Sequence, residues 1–266
     1  MIAQRGSFSL ACSAMNRRIV ALTAAAIVVA ACPPLHPAWA EAVEVAPGIE
    51  VTRKAFAAPA SEAPFFGLVD KDPTLRKTDD VFISLAVEVY GSRANVFEAL
   101  SRRGWEAIAA NDLEMAGTRF NQAWLFSPGQ SQIFHGFAMI ALGRFHDQEF
   151  AEELFRIARK APGALATLNA DYGHMLLATN RPRDAEPILE QAVKDTPTSG
   201  TAWADLGAAR LQNGNQPGAC QAADRAEMFQ DTARENADIK RIWREARCRG
   251  IEARSAGIPS VSPLTA

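Results

Sequence analysis

A chain of 266 residues with 48% hydrophobic but only 8% aromatic content has enough apolar side chain for a core, one packed by small residues more than by rings. Its formal net charge is −2, and because the first 40 residues carry three arginines and no acid, the remainder is net −5. Such a mildly acidic body lacks the clustered basic surface that phosphate binding needs, which argues against nucleic acid as a main partner.

At the N-terminus, Arg17 and Arg18 precede an apolar stretch from Ile19 to Ala31, and Ala38-Trp39-Ala40 supplies an A-x-A cleavage site. Residues 1–40 therefore read as an export signal, with Met15 as an alternative start. A second reading stays open, because Val29-Ala30-Ala31-Cys32 has the form of a bacterial lipobox in which Cys32 is lipidated and becomes the new terminus. Pro33 and Pro34 after the cysteine, together with the A-x-A site eight residues on, favour cleavage after Ala40. Both readings predict an exported protein, periplasmic in the first case and an outer-membrane lipoprotein in the second. Membrane association is expected only if Cys32 is lipidated. Beyond the signal no apolar run approaches the roughly 20 residues that span a bilayer.

Residues 41–77 contain Pro47, Pro59, Pro64 and Pro73 and lack a sustained period, so a flexible Ala/Pro-rich linker is expected, with Phe65-Phe66 as a sticky patch. From Thr78 the pattern becomes helical. Phe82, Leu85, Ala86 and Val89 share one face and Gly91 ends it, which predicts an N-terminal capping helix within residues 78–96.

Residues 97–233 are repetitive. Gly104, Ala116, Phe120, Ala123 and Pro128 recur 69 residues later as Gly173, Ala185, Leu189, Ala192 and Pro197. They recur after a further 34 residues as Gly207, Ala219, Ala223 and Ala226, with Asp231 where the proline would fall. The first interval holds two units of 34 and 35 residues, so a degenerate repeat lies between Ser131 and Leu165. There Ala138 and Ala141 fit the first helix, whereas Ala151, Phe155 and Ala158 fit the second one residue late, placing an insertion in the turn from Gly143 to Phe150.

Each residue type has a steric reason. Two antiparallel helices that cross closely need a small residue at the contact. Phe134 and Phe137 in the second repeat, and Trp203 and Leu206 in the fourth, fill the space beside those contacts. The prolines cannot continue a helix and mark its end.

A period near 34 with W-x2-L-G, A-x3-F and P resembles the tetratricopeptide repeat (TPR) family over about half the chain. The segment Arg119-Phe120-Asn121-Gln122-Ala123-Trp124-Leu125 further resembles secreted bacterial members of that family. The resemblance implies an all-α, TPR-type helical solenoid of about four helix-turn-helix repeats with capping helices at both ends. It also implies a binding scaffold, since such arrays are far more often scaffolds than enzymes.

The array needs a closing helix. Thr232 and Glu235 resemble a capping box, and Ile239, Ile242, Trp243 and Ala246 fall on one helical face. Lys240, Arg241, Arg244 and Arg247 lie on the other, as a solvated surface. A C-terminal capping helix over 234–249 and a disordered tail over 250–266 are expected.

With the signal removed, the cysteines are Cys220 and Cys248, and an even pair in an oxidising compartment suggests a disulfide. If the helices turn near Asp231, however, Cys248 overshoots the level of Cys220 by about six residues, or roughly 9 Å. Two buried thiols are the alternative.

The resemblance places ligand contacts on the concave surface formed by the first helix of each repeat. Propagating the register gives Glu98, Ser101, Trp105 and Ile108, then Gln132, His135, Met139 and Leu142, then Thr167, Ala170, His174 and Leu177, and finally Thr201, Ala204, Ala208 and Leu211. The Lys, Asn and Arg that clamp chaperone carboxylates in some family members are absent from these positions. An apolar groove suits an extended or helical apolar peptide, with Trp105 as its best anchor unless that ring packs under the N-terminal helix.

No metal-ligand spacing links His135, His146 and His174, and no G-x-S-x-G, phosphate loop or paired-cysteine motif occurs. His146-Asp147-Gln148-Glu149 reads as a solvated helix start. No catalysis, cofactor or metal is expected. The sequence predicts an exported protein–protein interaction scaffold, an adaptor whose groove binds a partner polypeptide. Its alternatives are an outer-membrane lipoprotein for envelope assembly, or a structural protein whose groove is filled by its own N-terminal segment.

Overall fold

A computed structural model describes residues 41–229 and 233–248. The signal and the Cys32 lipobox, the Thr232–Glu235 capping box and the tail lie outside the described residues or at their margin. The chain runs from a two-stranded hairpin, β1 (Ala42–Ala46) and β2 (Ile49–Thr52), through two short 3-10 turns (Ala60–Glu62 and Pro64–Leu68) into helices. These are α1 (Pro73–Tyr90), α2 (Arg93–Ala109), α3 (Leu113–Trp124), α4 (Ser131–Gly143), α5 (Gln148–Ala158), α6 (Leu168–Ala178), α7 (Pro182–Asp195), α8 (Gly200–Gln212), α9 (Gln216–Met228) and α10 (Ala233–Glu245).

Four helix pairs, α2–α3, α4–α5, α6–α7 and α8–α9, are the repeats, and within each the two helices make the chain's most extensive contacts. The small residues do what the sequence predicts. A Cβ at Gly104 would meet the Phe120 ring at 2.8 Å, and one at Gly173 would meet Leu189, which stands 69 residues after Phe120. Phe120 is fully buried, so truncating it to alanine is expected to cost about 3–5 kcal/mol.

The turn inside each repeat shows where the degenerate one departs. In the first, third and fourth repeats the N–H groups of Asp112, Arg181 and Asn215 bond the carbonyls of Ala107, Leu176 and Arg210, five residues back. Asn111, Asn180 and Gly214 take the left-handed conformation just before them. In the second repeat the Asp147 N–H reaches Ala141, six residues back, after a left-handed His146. The one-residue insertion lies where the period places it, in the turn between α4 and α5. Asp147 then caps α5 by accepting the Phe150 N–H, so the His146–Glu149 segment is a helix start.

The segment expected as a flexible linker over 41–77 is instead an ordered arm that packs on the second helices of the first two repeats. Thr52 donates its N–H to Glu153 of α5 at 2.8 Å, and the Trp124 indole of α3 donates to the Val45 carbonyl at 2.8 Å. Phe56 packs on Phe145 and Phe150, and Lys54 pairs with Asp147. Phe65 inserts among Trp124, Phe134 and Phe137. Proline and alanine content hid this order because the arm is stabilised by what it touches, not by a period of its own.

The N-terminal capping helix also starts earlier than predicted. Asp72 accepts the N–H groups of Thr74 and Leu75 with Pro73 in the first turn, so α1 begins at Pro73 and Thr78 lies inside it. Gly91, left-handed at φ 82°, ends the helix as expected, and Ser92 caps α2. Phe82, Ile83, Ala86, Val87 and Tyr90 pack toward the body, whereas Leu85 and Val89, expected on that face, are 58% and 78% exposed.

At the other end α10 packs against α8 and α9 through Ile239, Ile242, Trp243 and Ala246. Cys220 and Cys248 form a disulfide with Cα atoms 5.5 Å apart. The predicted overshoot disappears because α10 stops at Glu245 and the chain folds back. Arg247 is left-handed, and the Cys248 N–H returns to the Trp243 carbonyl.

Candidate functional site

The first helices of the repeats, α2, α4, α6 and α8, lie side by side, with α2 touching α4 and α6 touching α8. The predicted groove positions Trp105, Ile108, Met139, Leu177 and Leu211 are half-buried on these helices. Two residue pairs link adjacent first helices across this face. His135 Nε2 lies 2.9 Å from Asp171 Oδ2, and His174 Nδ1 lies 3.0 Å from Asp205 Oδ2.

The two histidines differ in role. His174 is exposed at 52% of its side chain, whereas His135 is fully buried and cannot meet a ligand directly, contrary to expectation. Trp105 packs edge-on against the rings of Phe120 and His135, at 5.4 and 4.6 Å between centroids. Its indole N–H, the Ser101 hydroxyl and His135 Nδ1 are buried without a hydrogen-bond partner among the described residues.

A second polar cluster staples the second and third repeats. Arg181, in the turn before α7, reaches Glu152 of α5, whose carboxylate also accepts the Tyr172 hydroxyl at 3.3 Å. Tyr172 stacks on Phe155 at 5.2 Å. The Arg181 hydrogen bond outweighs burial and holds the Glu152 carboxyl below the usual range. Burial, and then the Glu152 charge, pushes the Tyr172 phenol up. Hydrogen bonds to Glu152 and Asp184 raise Arg181 further, so it stays charged. Among the described residues no group of three or more His, Cys, Asp or Glu is placed to hold a metal ion.

No protein-family model matches the sequence, and no curated protein matches it. Solved structures do. One described as a functional characterisation of Pseudomonas aeruginosa pilF superposes with a TM-score of 0.54 and 17% identity, covering 64% of this chain and 79% of that one. PilW, described as a widely conserved type IV pilus biogenesis factor, superposes at 0.51 with 15% identity, covering 68% and 91%. The chain has the tetratricopeptide repeat fold.

In TPR terms the arm lies on the second helices, α3 and α5, and reaches the first helix α4 through Phe65. The alternative has Phe65-Phe66 filling the predicted groove; the two rings instead make contacts with Trp124, Phe134 and Phe137. On α4, Phe134 and Phe137 meet Phe65, while Met139 and Leu142 point from another side of the same helix. The rings that Trp105 meets belong to α3 and α4.

The residues the sequence reading passed over are those that fix the arm to the TPR array. Asn121 is fully buried, and its amide donates to the carbonyls of Ser61 at 2.9 Å and Ala63 at 2.7 Å. Its oxygen accepts the Phe66 N–H at 2.9 Å. Gly117, one turn earlier, allows the approach, because a Cβ there would collide with the Glu62 carbonyl. Arg144 adds an ion pair with Glu62. A polar asparagine and a glycine on a helix face otherwise built of Ala and Phe were the available signal. Among the described residues no helix is long and apolar enough to cross a membrane.

Proposed function

We propose that this protein is an exported, non-catalytic scaffold that holds a partner polypeptide on the face formed by α2, α4, α6 and α8. The observation that carries the reading is the half-buried apolar row Trp105, Ile108, Met139, Leu177 and Leu211, which the chain's own arm leaves to one side. Isolated half-buried apolar residues need no partner, but Ile108, Leu142, Leu177 and Leu211 stand at one repeat position on adjacent helices, with Trp105 and Met139 at a second, and such a row is the geometry of helix-in-groove recognition. Export rests on the N-terminal signal, and an envelope role is in keeping with the fold shared with a pilus biogenesis factor. Cleavage after Ala40 makes the protein periplasmic; lipidation at Cys32 would instead anchor it to the outer membrane.

The test uses Met139→Glu and Leu177→Glu, which alter the row without opening the core. Partners captured from envelope extract by the wild-type protein, and then bound directly in purified form, should be lost with both variants while helicity is unchanged. Partners that bind both variants as well as wild type would remove this face from consideration. The mass of the mature N-terminus decides between the two export routes.

A further inference from the structure

The cleft that receives Phe65 has a twin in the same chain. Phe65 is seated by Trp124 of α3 and by Phe134 and Phe137 of α4. The repeat step of 69 residues carries these three positions to Val193, Trp203 and Leu206. Those residues line a cavity of about 710 Å³ beside the second helices α7 and α9. The opposite walls also correspond. Glu153, which accepts the Thr52 N–H, maps to Gln221 once the one-residue insertion is allowed for, and Gln221 lines the cavity as well. Asn121, which clamps the arm, maps to Glu190, another lining residue. In the first half of the array the cleft holds a tight left-handed turn of the arm; in the second half no described segment fills it.

From this correspondence we infer that the α7/α9 cleft is a docking site for a short turn-forming segment of a partner protein that inserts an aromatic side chain and carries a nearby acidic residue. The aromatic requirement comes from the floor. Trp203 is held in place by its indole N–H to the Pro197 carbonyl at 2.8 Å, and Val193 and Leu206 leave the volume that Trp124 and Phe137 take up in the first cleft. At the rim Met228 is 67% exposed, a large apolar side chain with little cover. The acidic requirement comes from charge. Glu190 is engaged by Arg210 at 3.0 Å, and Asp224 accepts the Trp243 indole N–H at 3.1 Å. Lys194 and Arg225, also at the cleft, make no ion pair among the described residues. The site lies on the opposite side of the repeats from the apolar row of the first helices, and the inference does not rest on that row.

A fluorescein-labelled peptide with the sequence of residues 58–70 carries both features, Phe65-Phe66 and Glu62, and serves as the probe. Fluorescence anisotropy with the mature, disulfide-intact protein is expected to show saturable binding. Met228→Glu and Arg225→Glu, both at exposed positions, should each weaken it at least about tenfold, while Leu177→Glu leaves it unchanged. A benzophenone at the Phe65 position of the peptide should crosslink to residues around Trp203 and Met228. Absence of saturable binding, indifference to both rim substitutions, or crosslinks at Trp124 and Phe137 instead would overturn the inference. So would a concentration-dependent dimer in sedimentation that Met228→Glu abolishes, since that result gives the cleft to a second copy of the chain.

Discussion

Asn121 accepts the N–H of Phe66 at 2.9 Å from a fully buried position on α3, and so joins the first repeat to a segment 55 residues earlier in the chain. The Phe66 backbone is left-handed at φ 54°, as are those of Phe65 and Leu68 on either side of it and Gly67. Each non-glycine residue in that conformation costs about 1–2 kcal/mol, so the turn persists only where its surroundings over-determine it. Asn121, with two donors and an acceptor all engaged, is what does so here.

Asn121→Ala should therefore release the arm more than it perturbs the array. Unfolding by denaturant is expected to show a loss of about 2–3 kcal/mol, from three hydrogen bonds left without a buried partner. Limited proteolysis should cut between residues 53 and 72 at least several times faster than in wild type. An unchanged cutting pattern would mean that Phe65 and the hairpin hold the arm without the clamp.

Gly117→Ala offers a test with a change of sign. In a helix the substitution alone favours stability by up to about 1 kcal/mol. With the arm in place the new Cβ meets the Glu62 carbonyl, so a net loss of about 1–3 kcal/mol is expected. In a protein truncated to begin at residue 69 the same substitution should become neutral or stabilising. Thermal or denaturant unfolding of the four proteins reads this directly.

The Cys220–Cys248 disulfide closes a loop of 28 residues around the end of the array. Its removal by Cys220→Ser with Cys248→Ser is expected to cost about 3–4 kcal/mol, by restoring chain entropy to the unfolded state. The effect should concentrate at the terminus: amide hydrogen exchange in α10 should accelerate well beyond that in α4 and α5. Uniform acceleration along the chain would show instead that α10 unfolds only with the whole array.

The Glu152–Arg181 pair predicts a pH dependence. Because the folded carboxyl is held below its ordinary value, chiefly by the Arg181 hydrogen bond, the pair contributes stability above the unfolded pKa of Glu152. That contribution is lost as pH falls through the lower folded value. The stability difference between wild type and Glu152→Gln, measured by denaturant titration, should be largest near neutrality and shrink in the acid range. A difference independent of pH would assign the effect to packing around Tyr172.

The repeats were legible because their small residues recur at a fixed step. Gly104 and Gly173 face Phe120 and Leu189 through the same helix crossing, and a crossing repeated in space must be repeated in sequence. Even the extra residue between α4 and α5 was legible, since it delayed Ala151, Phe155 and Ala158 together. The groove register was legible in part. It placed Met139, Leu177 and Leu211 on the first-helix face, but it could not separate His135, buried against Trp105 and paired with Asp171, from the exposed His174. Burial of a histidine depends on which rings flank it, and those come from other helices.

The amino-acid sequence by itself determined the helical solenoid, its four repeats, the position of the insertion and the Gly91 stop, because each is set by local periodicity and backbone conformation. Only the tertiary structure decided that residues 41–72 form an ordered arm, that Asn121 and Gly117 receive it, and that Cys248 turns back to meet Cys220. The reason is that these arrangements join residues distant in the chain, through single hydrogen bonds, ring contacts and left-handed turns that leave no periodic trace.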